Sequence, residues 1–245
     1  MSVLDEIAAE VAADPESLGL ILHGSRAAGT ARESSDFDLM RVVRDETYPA
    51  RAKLREKRMG ADGLAADVFY SSPARLRELA DQPDWQVGML VTGRVLVDRG
   101  PLAALVETIL GRAGEHAHAN LDEHYDAYLN CFVRSLKAWR RGDELGARMQ
   151  AAESSLHLVR MLFALERRWY PYHDQLAGPL RELEPLQGWG EDELAGELLR
   201  VVRDADPAFQ QELELRVESL LESRGVQHQW GPNDDLQPLK EHRFA

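Results

Sequence analysis

Two aspartates one residue apart, Asp36 and Asp38, follow a Gly24-Ser25 pair in the stretch His23 to Leu39, HGSRAAGTARESSDFDL. On an extended chain, residues i and i+2 leave the same side, so the two carboxylates converge while Phe37 turns to the opposite, core-facing side. Like charges this close disfavour each other's ionised form unless a cation lies between them, and hard oxygen ligands on one face suit Mg²⁺. A third acid, Asp67, stands inside the apolar run AADVF. An unpaired carboxylate is costly to bury there, so Asp67 needs a partner, and the same cation site supplies one.

Gly24, Gly29 and Thr30 have the spacing of a phosphate-binding glycine loop, but the lysine that should follow the second glycine is missing. Glycine lets the backbone approach a phosphate, amides at a helix start donate to it, and the Ser25 hydroxyl adds one more hydrogen bond. A divalent cation then brings the charge that the lysine would have brought. The set reads as a metal-dependent triphosphate site: Asp36, Asp38 and Asp67 hold cations, and Gly24 and Ser25 hold the nucleotide's phosphates.

Short strand-like and helix-like segments alternate over the first hundred residues. LGLIL (Leu18 to Leu22) and FDLMRVV (Phe37 to Val43) read as strands, Tyr48 to Met59 as a basic helix, and Leu64 to Tyr70 as a third strand. Ser72-Pro73 opens another helix, and Arg94 to Asp98 is the last strand before a Gly100-Pro101 turn. This is a small mixed α/β sheet.

From about Leu121 the apolar residues change to helical spacing. Leu121, Tyr125, Phe132, Leu136 and Trp139 form one stripe, and Leu145, Met149, Ala152, Leu156, Val159 and Phe163 a second, ending at Pro171. Further helices are expected over Glu191 to Asp204 and Pro207 to Ser223, then a polar tail from Gly225 in which Trp230 packs on the bundle. The division is placed at 1–112 and 113–245, near Gly111 and Gly114. Asn130, Arg134, Lys137 and Arg141 share one face of the first long helix. That face is either solvated or meets the nucleotide, with Lys137 and Arg134 as its candidate phosphate ligands.

The chain has 245 residues, 44% of them hydrophobic, no apolar run approaching the roughly 20 residues that span a bilayer, and an acidic amphipathic N-terminus unlike a secretory signal. A net charge of −13 argues against nucleic-acid partners and favours small, cationic ones. The single cysteine, Cys131, permits no internal disulfide and reads as a core residue of a cytoplasmic protein. Arg26 is expected to pair with an acid, and His23 to end a strand. His116 and His118 lack the further ligands a metal site needs. WYPYHD, at Trp169 to Asp174, marks a helix end or lines an acceptor pocket.

Gly24-Ser25, ten residues, Asp36-Phe37-Asp38 and a later apolar strand bearing Asp67 together resemble the DNA polymerase β-like nucleotidyltransferase superfamily. Its signature is a hydrophobic residue, Gly-Ser, a short helix and Asp-x-Asp, and the resemblance covers about residues 18 to 100. The wording SRAAGTARESSDFDL, followed by a helical half, looks closest to the antibiotic nucleotidyltransferases of the kanamycin and streptomycin type. The resemblance implies an α+β protein: a mixed-sheet nucleotidyltransferase domain and an α-helical bundle.

It also implies two Mg²⁺ ions, both ligated by Asp36 and Asp38 and one by Asp67, and ATP as donor of AMP to a hydroxyl of a small, aminoglycoside-like acceptor, with pyrophosphate leaving. The alternative acceptor is another protein, in a regulatory or toxin–antitoxin setting. The general base is open among Asp67, Glu123, Asp126 and Glu153, since the glutamate and following lysine of the kanamycin-type enzymes have no clean counterpart here.

Overall fold

The computed structural model describes residues 2–227, 230 and 236–244. The chain runs α1 (Val3–Ala13), β1 (Ser17–His23), α2 (Gly24–Ala28), β2 (Phe37–Val43), α3 (Tyr48–Arg51), β3 (Arg55–Met59) and β4 (Ala65–Ser71). It continues through α4 (Pro73–Asp81), α5 (Val87–Val91), β5 (Arg94–Asp98), α6 (Leu102–Ala119), α7 (Leu121–Arg140) and α8 (Glu144–Leu165). After a 3₁₀ turn, His173–Gln175, come α9 (Ala177–Leu183), α10 (Glu193–Asp204), α11 (Pro207–Ser223) and α12 (Leu236–Lys240). The fold is α+β, a five-stranded mixed sheet followed by a helical region. Two compact units share it, one of Met1–His116 with Arg167–Pro179, the other of Ala117–Glu166 with Leu180–Ala245.

In the first unit the strand order is β3-β4-β2-β1-β5, with β2 and β4 parallel and the other neighbours antiparallel. The sheet is buried on both faces, and the alternation along each strand sorts the two cores. Leu20, Leu22, Phe37, Leu39 and Val68 pack with Val3, Ile7 and Val11 of α1. Ile21, Met40 and Val42 point the other way, into a core completed by Leu76, Leu79, Leu90 and Ile109. Ser2 and Asp5 close a capping box at the start of α1, and the Ser72 hydroxyl caps α4.

Three expectations from the sequence need correction. The basic helix over Tyr48 to Met59 is a single turn, α3, followed by the edge strand β3, whose REKRM alternates exposed and half-buried positions. Charged residues suit an edge strand because they discourage further pairing, although their strand propensity is low. The N-terminal part of the α8 stripe is uncovered: Leu145, Met149 and Leu156 are exposed, whereas Val159 and Phe163 on the same face are buried. Near the C-terminus, α12 supplies a short helix where only an irregular tail was expected; residues 228, 229 and 231–235 of that tail lie outside the described residues.

Gly111 and Gly114 do not break the chain, since α6 runs through both. A Cβ on Gly114 would lie 2.0 Å from the Arg167 carbonyl oxygen, so that glycine serves a close backbone approach.

In the second unit α8 packs on α7 and α10, and α11 on α7. Tyr125, Phe132, Leu136, Leu158, Leu162, Val201 and Val217 are buried. Trp139 donates to the Ala205 carbonyl (2.7 Å), and Trp230 donates to Asp126 of α7 (2.6 Å). Glu214 of α11 is fully buried, with Lys240 of α12 at 3.9 Å, and burial pushes its carboxyl up to about 8. Among the described residues no helix is long and apolar enough to cross a membrane.

Candidate active site

Sheet register places His23, Asp38 and Asp67 in one row. His23 on β1 is the antiparallel partner of Asp38 on β2, and Asp38 is the parallel partner of Asp67 on β4. All three lie on the face that carries Met40 and Phe69, because Phe37, Leu39, Ala66 and Val68 fill the opposite core. Asp36 precedes β2 and is exposed, with Phe37 buried between it and Asp38.

Gly24 starts α2 at φ +70°, a backbone conformation that side chains resist. A Cβ there would lie 2.1 Å from Asp38 Oδ2, so glycine is required twice, by the turn and by the carboxylate against it. Gly29, at φ +75°, ends the helix, and Thr30 N donates to the Ser25 carbonyl (2.9 Å). The Ser25 hydroxyl has no hydrogen-bond partner among the described residues.

Among the described residues Arg26 pairs with no acid, contrary to expectation. Its guanidinium lies 4.2 Å above the Phe37 ring and donates to the Ser35 carbonyl (2.9 and 2.6 Å) and the Glu33 carbonyl (3.2 Å). It braces the loop that delivers Asp36, because backbone carbonyls in a loop of this length need donors.

Burial, then the charges of Asp36, Asp67 and Asp174, holds the Asp38 carboxyl above the usual carboxylate range. Burial also pushes His23 down to about 4, with Arg55 opposing its charge, so the ring is neutral. His23 Nε2 and Asp67 Oδ1 are both buried without a hydrogen-bond partner.

The three carboxylates are not drawn into one tight cluster. Among the described residues, the group of three candidate ligands within 4.8 Å of one another is Cys131, Glu153 and His157. Unscreened like charges repel, and carboxylates that share a pair of ions about 3.5–4 Å apart need not touch one another. A buried Asp67 oxygen without a partner, beside an Asp38 whose ionised form is disfavoured by burial and by neighbouring acids, is a donor set that fits Mg²⁺.

Two sets of residues beside the row were not assigned to it from the sequence, which read WYPYHD only as a helix end or pocket lining and Lys57 as part of a basic helix. Asp174 sits on the 3₁₀ turn beside α2 and acts on Asp38. Thr92 fixes that turn by donating to Gln175 (2.8 Å), and Tyr172 stacks on Trp85 (6.3 Å). WYPYHD therefore forms part of the sheet-bearing unit, and nothing local in it signals a return past the helices. Lys57 is the register partner of Asp67 on β3, and Arg55 that of Phe69, with its guanidinium 5.3 Å from the ring. Cross-strand partners share a face, so both cations flank the row. Lys57 is exposed and makes no ion pair among the described residues.

The remaining expected residues belong to the helical unit. Arg134, Lys137 and Arg141 line a hollow of about 200 Å³ with Asp143 and Gln150, and Arg134 donates to Asn130 (3.1 Å). Glu123 is exposed, Asp126 accepts from Trp230 and Glu153 accepts from Gln150 (3.1 Å). His118 Nδ1 lies 3.0 Å from the Ala164 carbonyl oxygen, whereas His116 belongs to the sheet-bearing unit, its ring 6.4 Å from Trp169.

No family model and no curated protein matches the sequence. The chain is similar to solved structures, among them two that align over most of its length. A nucleotidyltransferase-like protein from Exiguobacterium sibiricum aligns at a TM-score of 0.45 and 16% identity, covering 90% of this chain and 73% of that one. An aminoglycoside 6-adenyltransferase from Bacillus subtilis aligns at 0.34 and 11%, covering 96% and 93%. Likeness this loose carries no statement about activity.

Proposed function

We propose that the protein is a nucleotidyltransferase that moves AMP from ATP to a hydroxyl of a small acceptor, releasing pyrophosphate. The observation that carries this reading is the aligned pair Asp38 and Asp67, with a buried unpartnered oxygen on Asp67 and a glycine that alone can stand against Asp38. Asp36, Asp38 and Asp67 would hold two Mg²⁺ ions, which supply the positive charge that draws electron density from the reacting phosphate.

The chain's own residues do the rest. The Gly24 turn and Ser25 hydroxyl hold the outer phosphates, and Lys57 adds a point charge from β3. Neutral His23 fills the row's end without adding a charge. Holding the nucleotide against fixed donors leaves the α-phosphorus open to an oriented hydroxyl, which accounts for the rate gain. Asp174, a fourth carboxylate beside Asp38, supports a cationic acceptor, as does the net charge of −13.

The test is incubation with α-labelled ATP, Mg²⁺ and a panel of aminoglycosides and cell extracts. A labelled small molecule is the expected product. A labelled protein instead places the acceptor in the protein-directed class, and no label with any acceptor overturns the enzymatic reading.

A further inference from the structure

The helical unit holds a second group of metal-ligating side chains, chemically unlike the aspartate row. Cys131 of α7 and Glu153 and His157 of α8 each offer one donor atom, and the three atoms lie within 4.8 Å of one another. Glu153 and His157 stand four residues apart on one helix, which stacks them on the same face opposite Cys131. Cys131 is buried, and His157 Nδ1 is buried with no hydrogen-bond partner. Gln150 donates to Glu153 (3.1 Å) and steadies it, as outer residues steady a metal ligand.

We propose that Cys131, Glu153 and His157 form a zinc site that ties α7 to α8. A thiolate, an imidazole and a carboxylate are the ligands Zn²⁺ accepts, and three protein donors leave a fourth position to water. Mg²⁺ prefers all-oxygen surroundings, so the two sites separate by ligand softness: magnesium at the aspartates, zinc here. On binding, the Cys131 sulfur gives its proton to solvent and coordinates as thiolate, so uptake of zinc releases one proton. Arg134 near Cys131 and Arg160 near His157 oppose the incoming cation, which sets the affinity below that of a closed four-ligand site. A zinc-bound Glu153 is also withdrawn from the candidates for the general base.

Cobalt is the probe, because Co²⁺ bonded to a thiolate gives a near-ultraviolet charge-transfer band and this chain has one cysteine. The full-length protein is titrated with Co²⁺ in excess Mg²⁺, which occupies the aspartates. The expected result is a band that saturates at one cobalt per chain and is erased by Zn²⁺. Cys131→Ser abolishes it, and His157→Gln and Glu153→Gln each weaken binding about tenfold or more. A folded wild-type protein that gives no band at millimolar Co²⁺ overturns the proposal. A band indifferent to both His157→Gln and Glu153→Gln overturns it too, since that marks a bare cysteine adduct. Should Cys131→Ser fail to fold, the other two variants carry the decision, with circular dichroism as the check on their fold.

Discussion

Replacing Gly24 with alanine puts a number on the contact between the glycine turn and Asp38. At φ +70° an alanine carries left-handed strain of about 1–2 kcal/mol. Its Cβ would also stand 2.1 Å from Asp38 Oδ2 and 2.9 Å from Asp38 Cγ, so the carboxylate must rotate away. An off-rotamer side chain costs about 0.5–1.5 kcal/mol more. Gly24→Ala should therefore destabilise the protein by about 1.5–3.5 kcal/mol, the sum of those two contributions. In an Asp38→Ala background the carboxylate is gone and only the backbone strain of about 1–2 kcal/mol remains.

Urea unfolding of the four proteins closes the cycle, with an expected coupling of about 1 kcal/mol. Transfer by Gly24→Ala should fall on the order of a hundredfold, since the proposed cation ligand Asp38 is displaced while the fold persists. An equal cost of Gly24→Ala in both backgrounds would refute the reasoning, because the side chain that it says is struck would then be irrelevant.

Asp36→Asn removes a proposed metal ligand from an exposed position, so transfer should be lost with unfolding temperature and circular dichroism unchanged. Lys57→Ala should raise the Michaelis constant for ATP several-fold with little change in turnover, and an unchanged constant returns Lys57 to the solvent; the same kinetics on Lys137→Ala test the α7 face. Glu214 holds its proton up to about 8 when folded and to 4.5 in the ordinary range, so the unfolded chain loses that proton first and stability falls as pH rises through this window. Over about 3.5 pH units, at about 1.4 kcal/mol each, the fall is roughly 5 kcal/mol. Unfolding measured from pH 4.5 to 8.5 should show this decline in the wild type and lack it in Glu214→Gln.

The register that aligns Asp38 with Asp67 was legible because strand alternation is a strict rule. Phe37 in the core turns Asp38 to the other side, and Asp67 betrayed itself as an acid within an apolar strand. Charged edge strands obey a different rule: REKRM has the composition of a helix surface, and only pairing with β4 makes it a strand. Lys57 was hidden by that error, because a residue read as helical has no cross-strand partner. Asp174 lies more than a hundred residues from Asp38 in sequence, and no local pattern encodes a return across that distance. The uncovered face of Leu145 and Met149 shows the same limit, since periodicity names a face but not what covers it.

The most direct test of the central claim is a crystal structure of the protein with Mg²⁺ and a non-hydrolysable ATP analogue. The account predicts two cations among Asp36, Asp38 and Asp67, one of them against the buried Asp67 oxygen, with the outer phosphates on Gly24 and Ser25. A nucleotide bound elsewhere, or cations that leave Asp67 untouched, contradicts it.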